Sequence, residues 1–259
     1  MNGLRYSNWI GLWTLYVREV RRFMKVHTQT ILAPIVTTLL FLAVFILALG
    51  RDEQTVVGVP FVEFLAPGLV MMAIIQNAFA NTSSSIVIAK IQGNIVDTLM
   101  PPLTAHELTL AIAFGGVTRG IIVGVAVAAV MSLFVPMHVH SFAFVLFHGM
   151  AASLMLSLLG LIGGIWADKF DHIAAVTNFI VMPLSFLSGT FYSIEKLSGV
   201  FHAAAFFNPF FYLIDGFRYG FIGHADASLT VGITVMCGVN LGLWILCRRM
   251  FATGYKLKA

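Results

Sequence analysis

The sequence predicts an all-α membrane protein with six transmembrane helices, an N-terminal amphipathic interfacial helix and a re-entrant external helix pair before the last span. Three observations carry this expectation. Of 259 residues, 59% are hydrophobic and only 10% are charged, whereas about a quarter of an average soluble domain is charged. Mean hydropathy is +0.93. The apolar residues fall in runs of roughly 20, the length one helix needs to cross a hydrocarbon layer about 30 Å thick.

The segment Tyr6 to Lys25 precedes any span and is amphipathic. At about 100° per residue, Arg18, Arg21, Arg22 and Lys25 share one face, while Trp9, Trp13, Val17, Val20, Phe23 and Met24 occupy the other. This predicts a helix lying in the cytoplasmic interface, with packing on a partner as the alternative. Charges at 18–25 followed by a 22-residue apolar run do not describe a cleavable signal, so the first long run is expected to stay in the membrane.

The spans are drawn at Thr28–Leu49, Phe64–Ala89, Gly115–Val135, Phe142–Trp166, Ile173–Phe191 and Leu229–Cys247. The chain therefore divides into an N-terminal segment (1–27) with the amphipathic helix, a transmembrane domain (28–247) and a tail (248–259). Pro34 and Pro67 lie near the starts of their spans, where a missing N–H breaks little, and Pro183 lies inside the fifth, where a kink is expected. Orientation follows from the basic residues. Arg5, Arg18, Arg21, Arg22, Lys25, Lys90, Arg119, Lys169, Arg248, Arg249, Lys256 and Lys258 fall on one side, and only Arg51, Lys196 and Arg218 on the other. Both termini are expected in the cytoplasm.

Glycines at four-residue spacing (Gly116, Gly120 and Gly124; Gly160 and Gly164; Gly238 and Gly242) predict closely approaching helices, since lipid gives apolar helices no hydrophobic drive to associate. Asn77, Asn81, Asn178 and Asn240 sit at membrane depth and are expected to hydrogen-bond between helices, with a share in a polar substrate path as the alternative. Cys237 and Cys247 are expected as buried free thiols.

Two loops carry information. From Lys90 to Glu107, Ile91–Met100 has helical spacing, Pro101 and Pro102 stop it, and Thr104-Ala105-His106-Glu107 is a capping box that starts the next helix. A short surface helix facing the cytoplasm is expected, with an ordinary helical hairpin corner as the alternative. In the external stretch 192–227, Val200–Phe207 and Phe211–Phe221 are apolar but too short to cross, with Asn208-Pro209 breaking the chain between them. They predict two short helices dipping into the outer leaflet against the transport path, since non-helical backbone at that depth must be shielded from lipid.

Several functions are excluded or disfavoured. The basic residues gather at the chain ends rather than along a folded face, which speaks for membrane orientation and against nucleic acid. No G-x-x-x-x-G-K-[ST] phosphate loop occurs, so the chain is not itself a P-loop ATPase. Within the spans as drawn, Arg119 is the only charged residue, near a cytoplasmic end from which it is expected to snorkel. A secondary transporter or channel working without an ATPase partner is the alternative reading, and it lacks the intramembrane acid an ion-coupled carrier uses. His138 and His140 supply too few ligands for a metal site. An intramembrane hydrolase built on His148 with Ser153 or Ser157 fails on spacing, because Ser153 is rotated about 140° from the histidine around the helix.

Three blocks carry a family resemblance. The first runs from Gln92-Gly93-Asn94 through Asp97-Thr98-Leu99 and Pro101-Pro102-Leu103 to Glu107-Leu108, and the second is Gly115-Gly116-Val117-Thr118-Arg119-Gly120. The third is Pro183-Leu184-Ser185-Phe186-Leu187-Ser188-Gly189-Thr190-Phe191-Tyr192, continued by Asn208-Pro209-Phe210-Phe211-Tyr212 and Asp215-Gly216-Phe217-Arg218. Across nearly its whole length the chain resembles the type-2 ABC transporter permeases, in the YadH/NodJ-like branch. The resemblance implies a bacterial inner-membrane exporter subunit with no enzymatic activity or cofactor of its own. It also implies a second permease copy and a cytoplasmic ATPase subunit dimer, which binds ATP and Mg. On that reading Gly93, Asp97, Leu99 and Glu107 belong to ATPase coupling, and Arg18, Arg21, Arg22 and Lys25 to a connecting helix. Ser188, Gly189, Asn208, Pro209, Asp215 and Arg218 belong to an external re-entrant gate. The double proline at 101–102 departs from the family pattern, in which a small polar residue precedes a single proline.

Overall fold

A computed structural model describes residues 8–49, 55–194 and 199–257. Arg5, Tyr6, Arg51, Lys196 and Lys258 of the sequence expectations lie outside them. Helix α1 (Trp9–Met24) leads through a π-helical turn (Thr28–Leu32) into α2 (Ala33–Leu49). Two-residue strands, β1 (Thr55–Val56) and β2 (Val59–Pro60), pair antiparallel with Thr55 opposite Pro60. Then come α3 (Phe61–Ile91), α4 (Ile95–Leu99), α5 (Ala105–Met131) and α6 (Phe142–Trp166). The chain continues with α7 (Phe170–Phe186), α8 (Val200–Phe207), α9 (Pro209–Ile222) and α10 (Leu229–Thr253).

Among the described residues, five stretches are long and apolar enough to cross a membrane: Thr28–Leu47, α3, α5, α6 and α10. Apolar α7 is shorter than these. Its expected span ran to Phe191, but the helix stops at Phe186 because neighbouring side chains take its closing carbonyl: the Ser188 and Thr190 hydroxyls donate to Ser185 O at 2.6 and 2.8 Å. A second π-helical turn, Thr177–Val181, interrupts α7. Each π turn ends two residues before a proline, Pro34 or Pro183. A proline offers no N–H to the carbonyl four residues back and its ring crowds that carbonyl, so the preceding turn widens.

Helix α3, about 46 Å long at 1.5 Å per residue, is buried along most of its length and packs against α5, α6 and α9. Small residues make this approach possible. A methyl group on Gly116 would strike Ser157 and Thr82, and one on Gly160 would strike Thr82 and the Phe79 carbonyl. The glycine ridges of α5 and α6 therefore close on α3, as the spacing predicts. Gly238 and Gly242 of α10 do not follow, since among the described residues nothing lies within 4 Å of where their methyl groups would stand.

Buried polar groups show which polar expectations hold. The Asn77 carboxamide oxygen accepts from Arg119 at 3.0 Å, that of Asn81 from Arg22 at 3.0 Å, and Asn240 donates to Ala151 O at 3.1 Å. Asn178 is exposed instead. Arg119 does not snorkel towards the helix end: its partner Asn77 lies near the middle of the 31-residue α3. Cys247 is buried as expected, but Cys237 is exposed. His148 bonds Phe144 O of its own helix at 3.0 Å, and Gly216 leaves room for the imidazole against α9.

Candidate functional site: a groove between α1 and α4

Helix α1 is less a free interfacial helix than the sequence predicts. Its buried stripe is Leu12, Leu15, Glu19 and Phe23, packed on α5, while Trp9 and Trp13 remain exposed. The apolar face assigned from periodicity is thus split between protein and surroundings. Gly115 lets α5 approach the Glu19 stem closely.

At the middle of that stripe the Glu19 carboxylate, 1% exposed, gathers Arg18 and Arg22 at 3.3 Å each and accepts from Ser85 at 2.7 Å. Arg22 continues into α3, donating to the Asn81 carbonyl at 2.6 Å. Arg18 reaches the other way to the Thr98 hydroxyl of α4 at 3.0 Å. One buried acid therefore fixes the direction of two arginines, and through them joins α1 to α3 and α4. Attention to basic residues alone overlooks Glu19. The signal was present: an acid seven and four residues from Leu12 and Leu15 on the apolar stripe, three before Arg22.

Between α1 and α4 lies a groove of ≈ 840 Å³. Arg18, Arg21, Arg22 and Lys25 all line it, facing Asn94 and Asp97. Gly93 ends α3 in the left-handed region (φ +74°), where a side chain is strained, and so turns the chain into α4. Ile95 and Thr98 anchor α4 inward, leaving Val96, Asp97 and Met100 outward. Pro101 and Pro102 are exposed beyond it. The expected helix at 91–100 is thus divided, with Ile91 closing α3 and only Ile95–Leu99 forming α4.

Two residues expected here face elsewhere. Leu99 packs into the apolar cluster of Leu12 and Leu15. Glu107 is buried and acts as a fastener. Its Oε2 accepts from the Thr104 backbone N–H at 2.7 Å, completing the predicted capping box, while Oε1 accepts from the Asn8 N–H at 2.6 Å. The starts of α1 and α5 are tied by that one side chain.

A clasp flanks the groove end. Lys90 donates to the Ile165 and Ala167 carbonyls at 2.8 and 2.6 Å, satisfying the close of α6. Lys256 reaches Trp166 O at 3.0 Å and Asp168 at 2.9 Å. The Lys256 hydrogen bond, seconded by Lys90, holds the Asp168 carboxyl below the usual carboxylate range.

At the far end of the bundle, Ser188, Gly189, Asn208, Pro209, Asp215 and Arg218 come together as a knot. Arg218, 2% exposed, stacks on the Phe64 ring at 3.8 Å and donates to the carbonyls of Phe64, Gly189 and Thr190. Asn208 caps α9 through Phe210 N–H at 3.0 Å and donates to Leu184 O at 2.9 Å, with Pro209 opening the helix. Asp215 accepts from the Asp226 and Ala227 N–H groups at 2.8 and 3.1 Å. The two short helices fall where the sequence puts them, although only α9 is buried and α8 exposes Val200, Phe201 and Phe207.

A family model described as ABC-2 type transporter matches residues 11–222. The chain belongs to that family. The permease is 35% identical over 251 residues to the inner membrane transport permease YadH of Escherichia coli K12, covering 97% of this chain and 98% of that one. It is 22% identical over 232 residues to nodulation protein J of Rhizobium leguminosarum bv. viciae, covering 89% and 88%. Nodulation protein J of Rhizobium meliloti is 22% identical over 231 residues, covering 89% and 87%. The matched region contains both the groove and the knot.

Proposed function

We propose that the chain is the permease subunit of an ATP-binding-cassette exporter in a bacterial inner membrane. It moves an amphipathic, lipid-linked or drug-like substrate and is driven by a separate ATPase subunit dimer that binds ATP and Mg. In this reading α7 completes six crossings, α8 and α9 enter the outer leaflet as a re-entrant gate, and both termini are cytoplasmic. Two permease copies form the transport path.

The observation that carries the reading is the groove. A family permease without a phosphate loop has to be driven through contact, and the groove presents Asp97 and four basic side chains on two elements already joined by the Arg18–Thr98 hydrogen bond. Closure of the ATPase dimer would press α4 and α1 together, and two bundle packings of similar energy would exchange.

The test uses the reconstituted permease–ATPase complex. Asp97→Ala leaves α4 in place, because Ile95 and Thr98 anchor it. It is expected to reduce substrate-stimulated ATPase at least about fivefold, a coupling change of roughly 1 kcal/mol. Gly93→Ala, which strains the turn, is expected to do the same. Full coupling in an assembled Asp97→Ala complex rejects docking at this groove.

A further inference from the structure

A second cavity, ≈ 720 Å³, lies between α2 and α3. Its walls are facing helical stripes: on α3 the lining runs from Leu69 to Ile88, and on α2 and the π turn before it from Gln29 to Phe41. The cleft is amphipathic along its length. Towards the far end it is lined by Phe41, Leu69 and Met72, and towards the groove end by Gln76, Asn77, Ser84, Arg22 and Arg119.

Arg119 is the informative residue. One of its terminal nitrogens donates to Asn77 at 3.0 Å, while its Nε is buried with no acceptor among the described residues. Among the described residues no carboxylate lines the cleft. Arg22, the other guanidinium, already has Glu19 as counter-ion. A part-buried cation without a counter-ion is costly, and ionised groups within a membrane-spanning bundle mark binding sites or pathways. A guanidinium also presents its donors in a planar fork suited to phosphate and carboxylate.

We propose that this cleft binds the anionic headgroup of an amphiphile: the headgroup supplies the counter-charge that Arg119 lacks, Asn77 orients the guanidinium, and the Phe41–Leu69–Met72 end receives the start of the tail. The open flank between α2 and α3 is the entry. Two sources share this chemistry, an anionic phospholipid of the bilayer and an exported anionic amphiphile. The site shares the Arg22 wall with the groove but needs no docked ATPase to form, and only its occupant being cargo rests on the exporter reading.

Binding is measured on the purified permease without ATPase, by native mass spectrometry against dodecyl phosphate, phosphatidylglycerol and dodecyltrimethylammonium. Dodecyl phosphate is expected to bind at least about tenfold more tightly than the cation. Arg119→Gln is expected to remove that preference and Arg119→Lys to retain most of it, the change expected for losing one charged hydrogen-bonded contact. A photoactivatable dodecyl phosphate is expected to label α2 and α3 of the unaltered protein, which tests the site even where a variant fails to fold. An undiminished preference in Arg119→Gln, equal binding of cation and anion, or labelling confined to other helices each overturns the proposal. Stimulation of the assembled complex by dodecyl phosphate and not phosphatidylglycerol assigns the site to cargo, and tight phosphatidylglycerol binding without stimulation assigns it to a resident lipid. Loss of Asp97 coupling with headgroup binding intact separates failure of the groove from failure of the cleft.

Discussion

The two ends of this bundle handle polar groups in opposite ways. At the far end, Arg218, Asp215 and Asn208 are buried and turned on the chain's own backbone, each holding a loop or helix terminus. At the groove end, Glu19 is equally buried but its arginine partners stand part-way out, so charge is organised inside and presented outside. The far end spends its polar chemistry on shape, and the groove end keeps some available to a partner.

That contrast makes the far end the more fragile. Arg218→Met removes three donor contacts to carbonyls and the stacking on Phe64 while keeping much of the volume. The expected loss is about 3–5 kcal/mol, read as a fall in Tm of roughly 10 °C or more in detergent. Glu19→Gln should cost less, about 1–2 kcal/mol, because Ser85 retains an acceptor and both arginines reach water. Destabilisation equal to that of Arg218→Met would erase the distinction between the ends.

The smallest effect belongs to the clasp. A carboxylate held below its ordinary value contributes stability that is present above the unfolded value, about 3.9, and is lost as pH falls through the lowered folded one. Tm should therefore drop more steeply below about pH 4 in the unaltered protein than in Asp168→Asn, while at pH 7 the substitution shifts Tm by no more than about 2–3 °C. Parallel acid profiles would remove the clasp from the account.

Periodicity and proline placement made most of the helices legible, including the capping box at Thr104 and the short pair on either side of Asn208-Pro209. What escaped was decided by contacts between distant segments. Glu19 reads as one more charge on an interfacial helix until Ser85, 66 residues away, is placed on it. Glu107 reads as a local cap until Asn8 arrives from 99 residues away. The early stop of α7 depends on hydroxyls folding back over Ser185, which hydropathy cannot distinguish from continuation of the span. Gly238 and Gly242 share the spacing of the packed glycines, yet spacing alone does not supply a neighbour.

Arg22 forms part of the wall of both hollows, the groove and the cleft. A push on the outer hollow would therefore need no long lever to be felt in the inner one, since a single guanidinium pivoting on Asn81 spans the partition. Stiffening the remote half of the molecule should leave that communication untouched, whereas shortening this one side chain should silence it.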